Sequence, residues 1–270
     1  MGQRTSFPAP NLFQSFSFFS FKRDSPRRRS FHRPTLVRPG MFTTPTSRTN
    51  ICAPLISSCI AAASARTQEY LHFQDPEDRF HPSPQVLTQV FLMTCISRSA
   101  SLDMTETFTC TVMTPEQRVL LGADWVWTAL QPPALTPRTQ IAVRVLHLPG
   151  REEAAEAAAA TRACSEAVRM AQAESSHKNM CERMVDFCTS VGKDCYALFL
   201  FFGRKDDRKN IYGVLSNNFE AAIGKCEKID RDLIENFFKG LRCFQTTSGM
   251  MEAVVTRRTD EPLTLMIRFT

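Results

Sequence analysis

Apolar positions recur along this chain in two rhythms, a helical one up to about residue 192 and a strand-like one beyond it. From Pro54 to Leu71 the residues Leu55, Cys59, Ala62, Ala63, Tyr70 and Leu71 return at helical spacing, with Pro54 near the amino-terminal end, where its missing N–H costs little. A turn-rich stretch, Asp75 to Pro84, separates this helix from a second over about Gln85 to Ser97. Its apolar residues Val86, Leu87, Val90, Phe91, Met93, Cys95 and Ile96 are so many that burial on most sides is expected. The spacing predicts a third helix over Thr114 to Leu130. Thr114 is a good N-cap, Pro115 suits the first helical position, and Gln117 three residues on completes a capping box. Val119, Leu120, Ala123, Val126, Trp127 and Leu130 then share one face, with Asp124 and Trp125 off it, and Pro132-Pro133 stops the run. Ile141 to Leu148 is compatible with helix or strand and is read here as helix.

Residues 151 to 178 open on Arg151-Glu152-Glu153 and continue into an alanine tract with few large apolar side chains, the pattern of a solvated helix or linker. Met180 begins an amphipathic helix with Cys181, Met184, Val185, Cys188 and Val191 on one face and Gly192 as its stop. The rhythm then changes. Cys195 to Phe202 is a continuous apolar run ended by Gly203, the signature of a buried strand. The polar loop 203–210 follows, in which Asp206 and Asp207 beside Lys205 and Arg208 read as solvated charge pairs. Ile211 to Leu215 returns as an antiparallel partner. Asp230 caps a helix carrying Leu233, Ile234, Phe237, Phe238 and Leu241. Leu263, Leu265, Ile267 and Phe269 alternate with Thr264, Met266 and Arg268 in a period-two strand, with Met250 to Val255 as a partner it could take. The expected fold is therefore α+β, a mostly helical amino-terminal half packed with a small antiparallel sheet and two helices in the carboxy-terminal half. It is expected as one domain over residues 51–270, the Ala-rich linker near 151–178 lying inside it.

Charge changes the picture at the amino terminus. The formal charge of +6 divides unevenly: residues 1–50 hold nine Lys or Arg and one acid, leaving 24 basic and 26 acidic residues for the rest. The body thus lacks the positive field of a nucleic-acid-binding protein, and residues 1–50 read as a disordered basic arm. Phe13, Phe16, Phe18, Phe19 and Phe21 in that arm could enter a lipid interface, and its Arg-rich, acid-poor character also fits a mitochondrial transit peptide. Met1-Gly2-Gln3-Arg4-Thr5-Ser6 matches the myristoylation pattern, which makes Gly2 a lipidation candidate. One acyl chain binds membranes marginally, so the neighbouring arginines would supply the second signal. Runs such as Tyr196 to Phe202 are far short of the roughly 20 residues of a membrane span.

Chemistry is sparse. The ten cysteines show no C-x-x-C pair and read as small buried hydrophobes. Phosphate-loop, dinucleotide, nucleophile-elbow and H-E-x-x-H motifs are missing. His32, His72, His81, His147 and His177 are isolated from one another and read as surface residues. No catalytic residue, cofactor or metal is expected. Both tryptophans of the chain stand two positions apart, and two readings of them stay open. In one, Trp127 is core and Trp125 half-buried; in the other, Trp125 anchors a partner with Asp124 at the rim.

The stretch LLGADWVWTAL, Leu120 to Leu130, resembles the Rab-15 effector protein family, which carries a G-A-D-W-aliphatic-W-T core. The run Val185 to Leu215 is similar to that family's helix, G-x-D-C turn, hydrophobic strand ending F-G and returning I-x-G-V strand, in the same order. Glu69-Tyr70-Leu71-x-Phe73, Leu87-x-x-Val90-Phe91-Leu92 and the opening Met1-Gly2-Gln3 add to the likeness, whereas the Phe- and Arg-rich insert, the Ala-rich linker and Asn217 to Lys228 depart from it. The resemblance implies a non-enzymatic adaptor that binds GTP-loaded Rab GTPases and acts in receptor recycling from the perinuclear endocytic recycling compartment to the cell surface. The implied location is cytoplasmic, peripheral on early and recycling endosomes. The alternative is a membrane-surface or mitochondrial protein acting through its basic aromatic arm.

Overall fold

Six strands hydrogen-bond in the order in which they occur along the chain, and helices cover both faces of the sheet they make. The computed structural model describes residues 49–77, 79–131, 134–148, 178–224, 228–239, 243–257 and 261–269, together with 166, 169, 170 and 173. The arm, Gly2 and almost all of the Ala-rich linker lie outside the described residues. The strands are β1 (Phe108–Val112), β2 (Trp125–Gln131), β3 (Thr136–His147), β4 (Cys195–Arg204), β5 (Asp207–Ser216) and β6 (Thr264–Phe269). All neighbours pair antiparallel except β3 and β4, which run parallel from Gln140↔Cys195 to His147↔Phe202. The expected small antiparallel sheet of the carboxy-terminal half is thus corrected: the fold is α+β, but the sheet is six-stranded and mixed, and β1 and β2 place its start in the half expected to be mostly helical, because alternating residues there face two separate cores. A parallel pair requires a crossover, here the 148–194 segment that contains α4 (Met180–Val191).

Helices α1 (Thr49–His72), α2 (Pro84–Ser101) and α7 (Thr247–Thr256) cover one face, and α4, α5 (Phe219–Ile223) and α6 (Arg231–Asn236) cover the other. Strand β4 explains the continuous apolar run. Tyr196, Leu198, Leu200 and Phe202 meet the first helical layer, while Cys195, Ala197, Phe199 and Phe201 meet the second, so every position is buried. The two aromatic sets each find ring partners in their layer, Phe202 with Phe91 at 5.6 Å and Phe201 with Phe238 at 5.3 Å.

Several elements agree with the sequence reading. Helix α4 is closed by a capping box from Asn179 and Glu182 and ends at Gly192; Asp230 caps α6, accepting from the Leu233 N–H at 3.0 Å. Three further expectations are overturned. The helix from Thr114 stops after seven residues as α3 (Pro115–Leu121), and the expected remainder is β2. Gly122 makes the break: its φ of +70° is left-handed, and an added Cβ would lie 2.0 Å from the Met180 carbonyl oxygen of α4. Ile141 to Leu148, read as helix, belongs mostly to β3, because Ile141, Val143 and Val145 alternate with Ala142 and Leu146 between the two cores. Met250 to Val255, offered as a strand, is helical in α7, where the Thr246 hydroxyl caps Gly249 N–H and Met250, Met251 and Val254 form the buried face. The short strand β1 was not anticipated; only Phe108 in it is fully buried.

Candidate functional site

The residues singled out by the sequence are part of the core. Trp125 and Trp127 are 0% and 1% exposed, stand 5.8 Å apart by ring centroid, and both lie against Phe91, at 5.8 and 6.2 Å. At period two they share a face of β2, while Val126 turns to the other core. Aromatic side chains bury about 150–250 Å² each, so this trio is a principal support of the first layer. The reading of Trp125 as an exposed anchor is therefore corrected, and so is its half-buried alternative: the indole presents no surface to a partner.

Asp124 is corrected in the same way. Its side chain is buried; it accepts from the Val145 backbone N–H at 2.7 Å and from the Arg118 guanidinium at 2.5 Å. Its own backbone N–H donates to Val143 O at 2.7 Å, and its carbonyl accepts from Met113 N–H at 3.0 Å. One residue thus ties the ends of β1, β2 and β3 to α3. The G-A-D-W-x-W stretch reads physically as a folding device, with a glycine for close approach, a carboxylate lock and two core indoles.

Other polar residues also depart from expectation. His147 is buried rather than exposed, edge-on to Phe202 at 5.4 Å with Nε2 3.3 Å from Thr88 Oγ1. Asp207 is a turn organiser rather than a solvated charge. Burial opposes its ionisation, but hydrogen bonds from Tyr212 Oη at 2.7 Å, Asn210 Nδ2 at 2.6 Å and Lys209 N–H at 3.2 Å outweigh it and hold the carboxyl below the usual carboxylate range. The eight described cysteines are free thiols. Burial pushes the Cys110 thiol up to about 12 and raises those of Cys95 and Cys188, so these sulfurs stay protonated and act as small apolar groups.

The surface that stands out was assigned to the interior by the sequence. Helix α2 packs through Leu87, Val90, Phe91 and Cys95, which leaves Val86, Met93 and Ile96 on its solvent face. Met93 is 62% exposed. Phe73 and Phe80, in edge contact at 5.9 Å, extend the apolar surface beside the α1–α2 connection. Between the helices lies an open groove of about 460 Å³, formed by Ala62 and Arg66 of α1 and Met93, Thr94, Ser97 and Arg98 of α2. Arg66 is held beside Glu69 and over the Tyr70 ring at 5.4 Å. Arg98 has no ion pair among the described residues. A broad shallow groove of this kind suits a macromolecule better than a metabolite, which is commonly enclosed on most of its surface. The sequence shows an α2 apolar on most sides and points to burial all round; that one side stays exposed was not legible, because helix periodicity fixes which residues share a face and not which face is covered.

These features define a helix-covered sheet, layered α/β/α, whose most distinctive exposed feature is an apolar, arginine-flanked helical face. A sequence model of the Rab15 effector family matches residues 43–263, and the chain belongs to that family. It is 30% identical over 183 residues to the Rab15 effector protein of Mus musculus, covering 68% of this chain and 75% of the relative.

Proposed function

We propose that the chain is a non-enzymatic effector that binds Rab GTPases in their GTP-loaded form and serves the return of receptors from the endocytic recycling compartment to the cell surface. The family match over residues 43–263 carries this reading, since it spans every described element from α1 to α7. The physics is compatible with the role. A GTPase reports its nucleotide by ordering two switch loops around the γ-phosphate, and an effector distinguishes that arrangement with a preformed surface that does not itself have to fold. A sheet buried on both faces by helices supplies such rigidity. No described helix is long and apolar enough to cross a membrane. Residence on early and recycling endosomes would then come from the Rab partner, reinforced by an acyl group on Gly2 beside the basic arm.

Affinity capture tests the reading. Immobilised Rab proteins loaded with a non-hydrolysable GTP analogue are expected to retain the full chain, and the same proteins loaded with GDP to release it. Equal retention of the two forms, or none, would remove the proposal. Acylation is checked separately by intact mass, as a gain of about 210 Da on a chain beginning at Gly2.

A further inference from the structure

The outer face of α1 and α2 carries more than scattered apolar residues. Val86, Met93 and Ile96 recur at i, i+7 and i+10, so they form one stripe along the solvent side of α2, where an ordinary surface helix is polar. Loose packing does not explain their exposure, because Leu87, Phe91 and Cys95 on the opposite side are all 0% exposed. The stripe borders a groove whose walls hold Arg66, already paired with Glu69 beside the groove, and Arg98, which meets no carboxylate among the described residues. Met and Arg are enriched at protein interfaces while Lys, Glu and Asp are depleted, which is the balance found here. At 1.5 Å per residue the 18 residues of α2 run about 27 Å, so a face two helices wide approaches the roughly 800 Å² that each partner contributes to a specific complex.

Charge selects the occupant. The chain's own residues 1–50, with nine basic side chains against one acidic, would bring further positive charge to Arg98 and nothing to neutralise it. A second copy docked by twofold symmetry through this face would add a second Arg98 to the interface and no carboxylate from the groove walls to receive either. A complementary partner presents an apolar patch rimmed by carboxylates.

We propose that the α1–α2 face is the docking surface for the GTP-loaded Rab partner, with Met93 as the central apolar contact and Arg98 receiving an acidic side chain at its edge. The inference rests on the effector reading above and adds where the partner sits. Nucleotide selectivity follows if the acidic and apolar groups are brought together only in the ordered switch conformation. Arg98 steers association, and the Met93 and Ile96 side chains set how long the complex lasts.

The test uses the full chain and a panel of Rab GTPases charged with a non-hydrolysable GTP analogue or with GDP, read by equilibrium binding. The wild type is expected to bind at least one analogue-loaded Rab. Met93→Asp combined with Ile96→Asp is expected to weaken that binding by about thirtyfold or more, the scale of a lost hot spot. Arg98→Glu should weaken it by about tenfold and flatten its dependence on salt. Val112→Asp, on the edge strand β1, should bind as the wild type does. Melting curves report that each variant is folded; all four positions are exposed, so the fold is expected to survive. Undiminished binding by both the Met93/Ile96 variant and Arg98→Glu would overturn the placement while leaving the effector reading intact. A wild type that ignores every analogue-loaded Rab would bring down the reading and the placement together. Loss of self-association in the Met93/Ile96 variant with unchanged Rab affinity would assign the face to a second copy and overturn the proposal.

Discussion

The backbone N–H of Val145 donates to the carboxylate of Asp124 at 2.7 Å, a bond that spans 21 positions and joins the entry of β2 to the end of β3. The same carboxylate takes the Arg118 guanidinium, which is half exposed, so the two partners differ in weight: the bond to Val145 is shielded from water and the ion pair is partly screened.

Asp124→Ala removes the acceptor from a buried N–H, and a cost of about 1–3 kcal/mol follows. Asp124→Asn keeps an acceptor oxygen and should cost less. Chemical denaturation is expected to show this order, with Arg118→Ala smaller than Asp124→Ala. Equal stability of the Asp124→Ala variant and the wild type would show that the bond is not structural.

Trp125→Ala empties the space between Phe91 and Trp127 and is expected to destabilise the fold by about 3–5 kcal/mol, enough to unfold a marginal domain. Trp125→Phe, which keeps an aromatic ring there, should melt closer to the wild type. A well-folded Trp125→Ala protein that failed only in partner binding would contradict the buried placement.

Gly122→Ala meets two obstacles, a left-handed φ of +70° and a Met180 carbonyl oxygen 2.0 Å from the new Cβ. The conformation alone costs about 1–2 kcal/mol, and the clash adds to it by forcing α3 and α4 apart. Gly249→Ala, where φ is not positive and the added Cβ would first meet the end of the Gln245 side chain, is the comparison, and its loss should be smaller.

Acidification should loosen the β4–β5 hairpin through Asp207. Its folded carboxyl titrates below the unfolded value near 3.9, so the stability it contributes is present above about pH 4 and lost as pH falls through the folded pKa. Amide protection in residues 204–212, taken relative to the intrinsic exchange rate at each pH and followed downward from about pH 5, should therefore fall more in the wild type than in Asp207→Asn. Parallel pH profiles in the two proteins would refute the assignment.

Much of the architecture is legible in the sequence. Helices α1, α2 and α4, the hairpin β4–β5 and the final strand β6 follow from local rhythm, the starts of α3 and α6 from the caps Thr114 and Asp230, and the end of α4 from Gly192, whereas Gly203, read as the end of β4, lies inside it. The misreadings cluster where helix and strand periods coincide over a few residues. Val119, Leu120, Ala123, Val126 and Trp127 fit a helical stripe, yet Gly122 must meet the Met180 carbonyl, and that contact lies 58 positions away in sequence.

Local chemistry, then, determined which segments are regular and which residues share a face. Three matters were left to tertiary structure: that β3 and β4 run parallel, that Asp124 and Trp125 turn inward, and that Met93 and Ile96 turn outward. The physical reason is the same in each case. Periodicity is a property of the chain next to itself, whereas burial depends on which distant segment arrives to cover a face, and α2 is covered on one side by α1 and the sheet and on the other by nothing within the described residues.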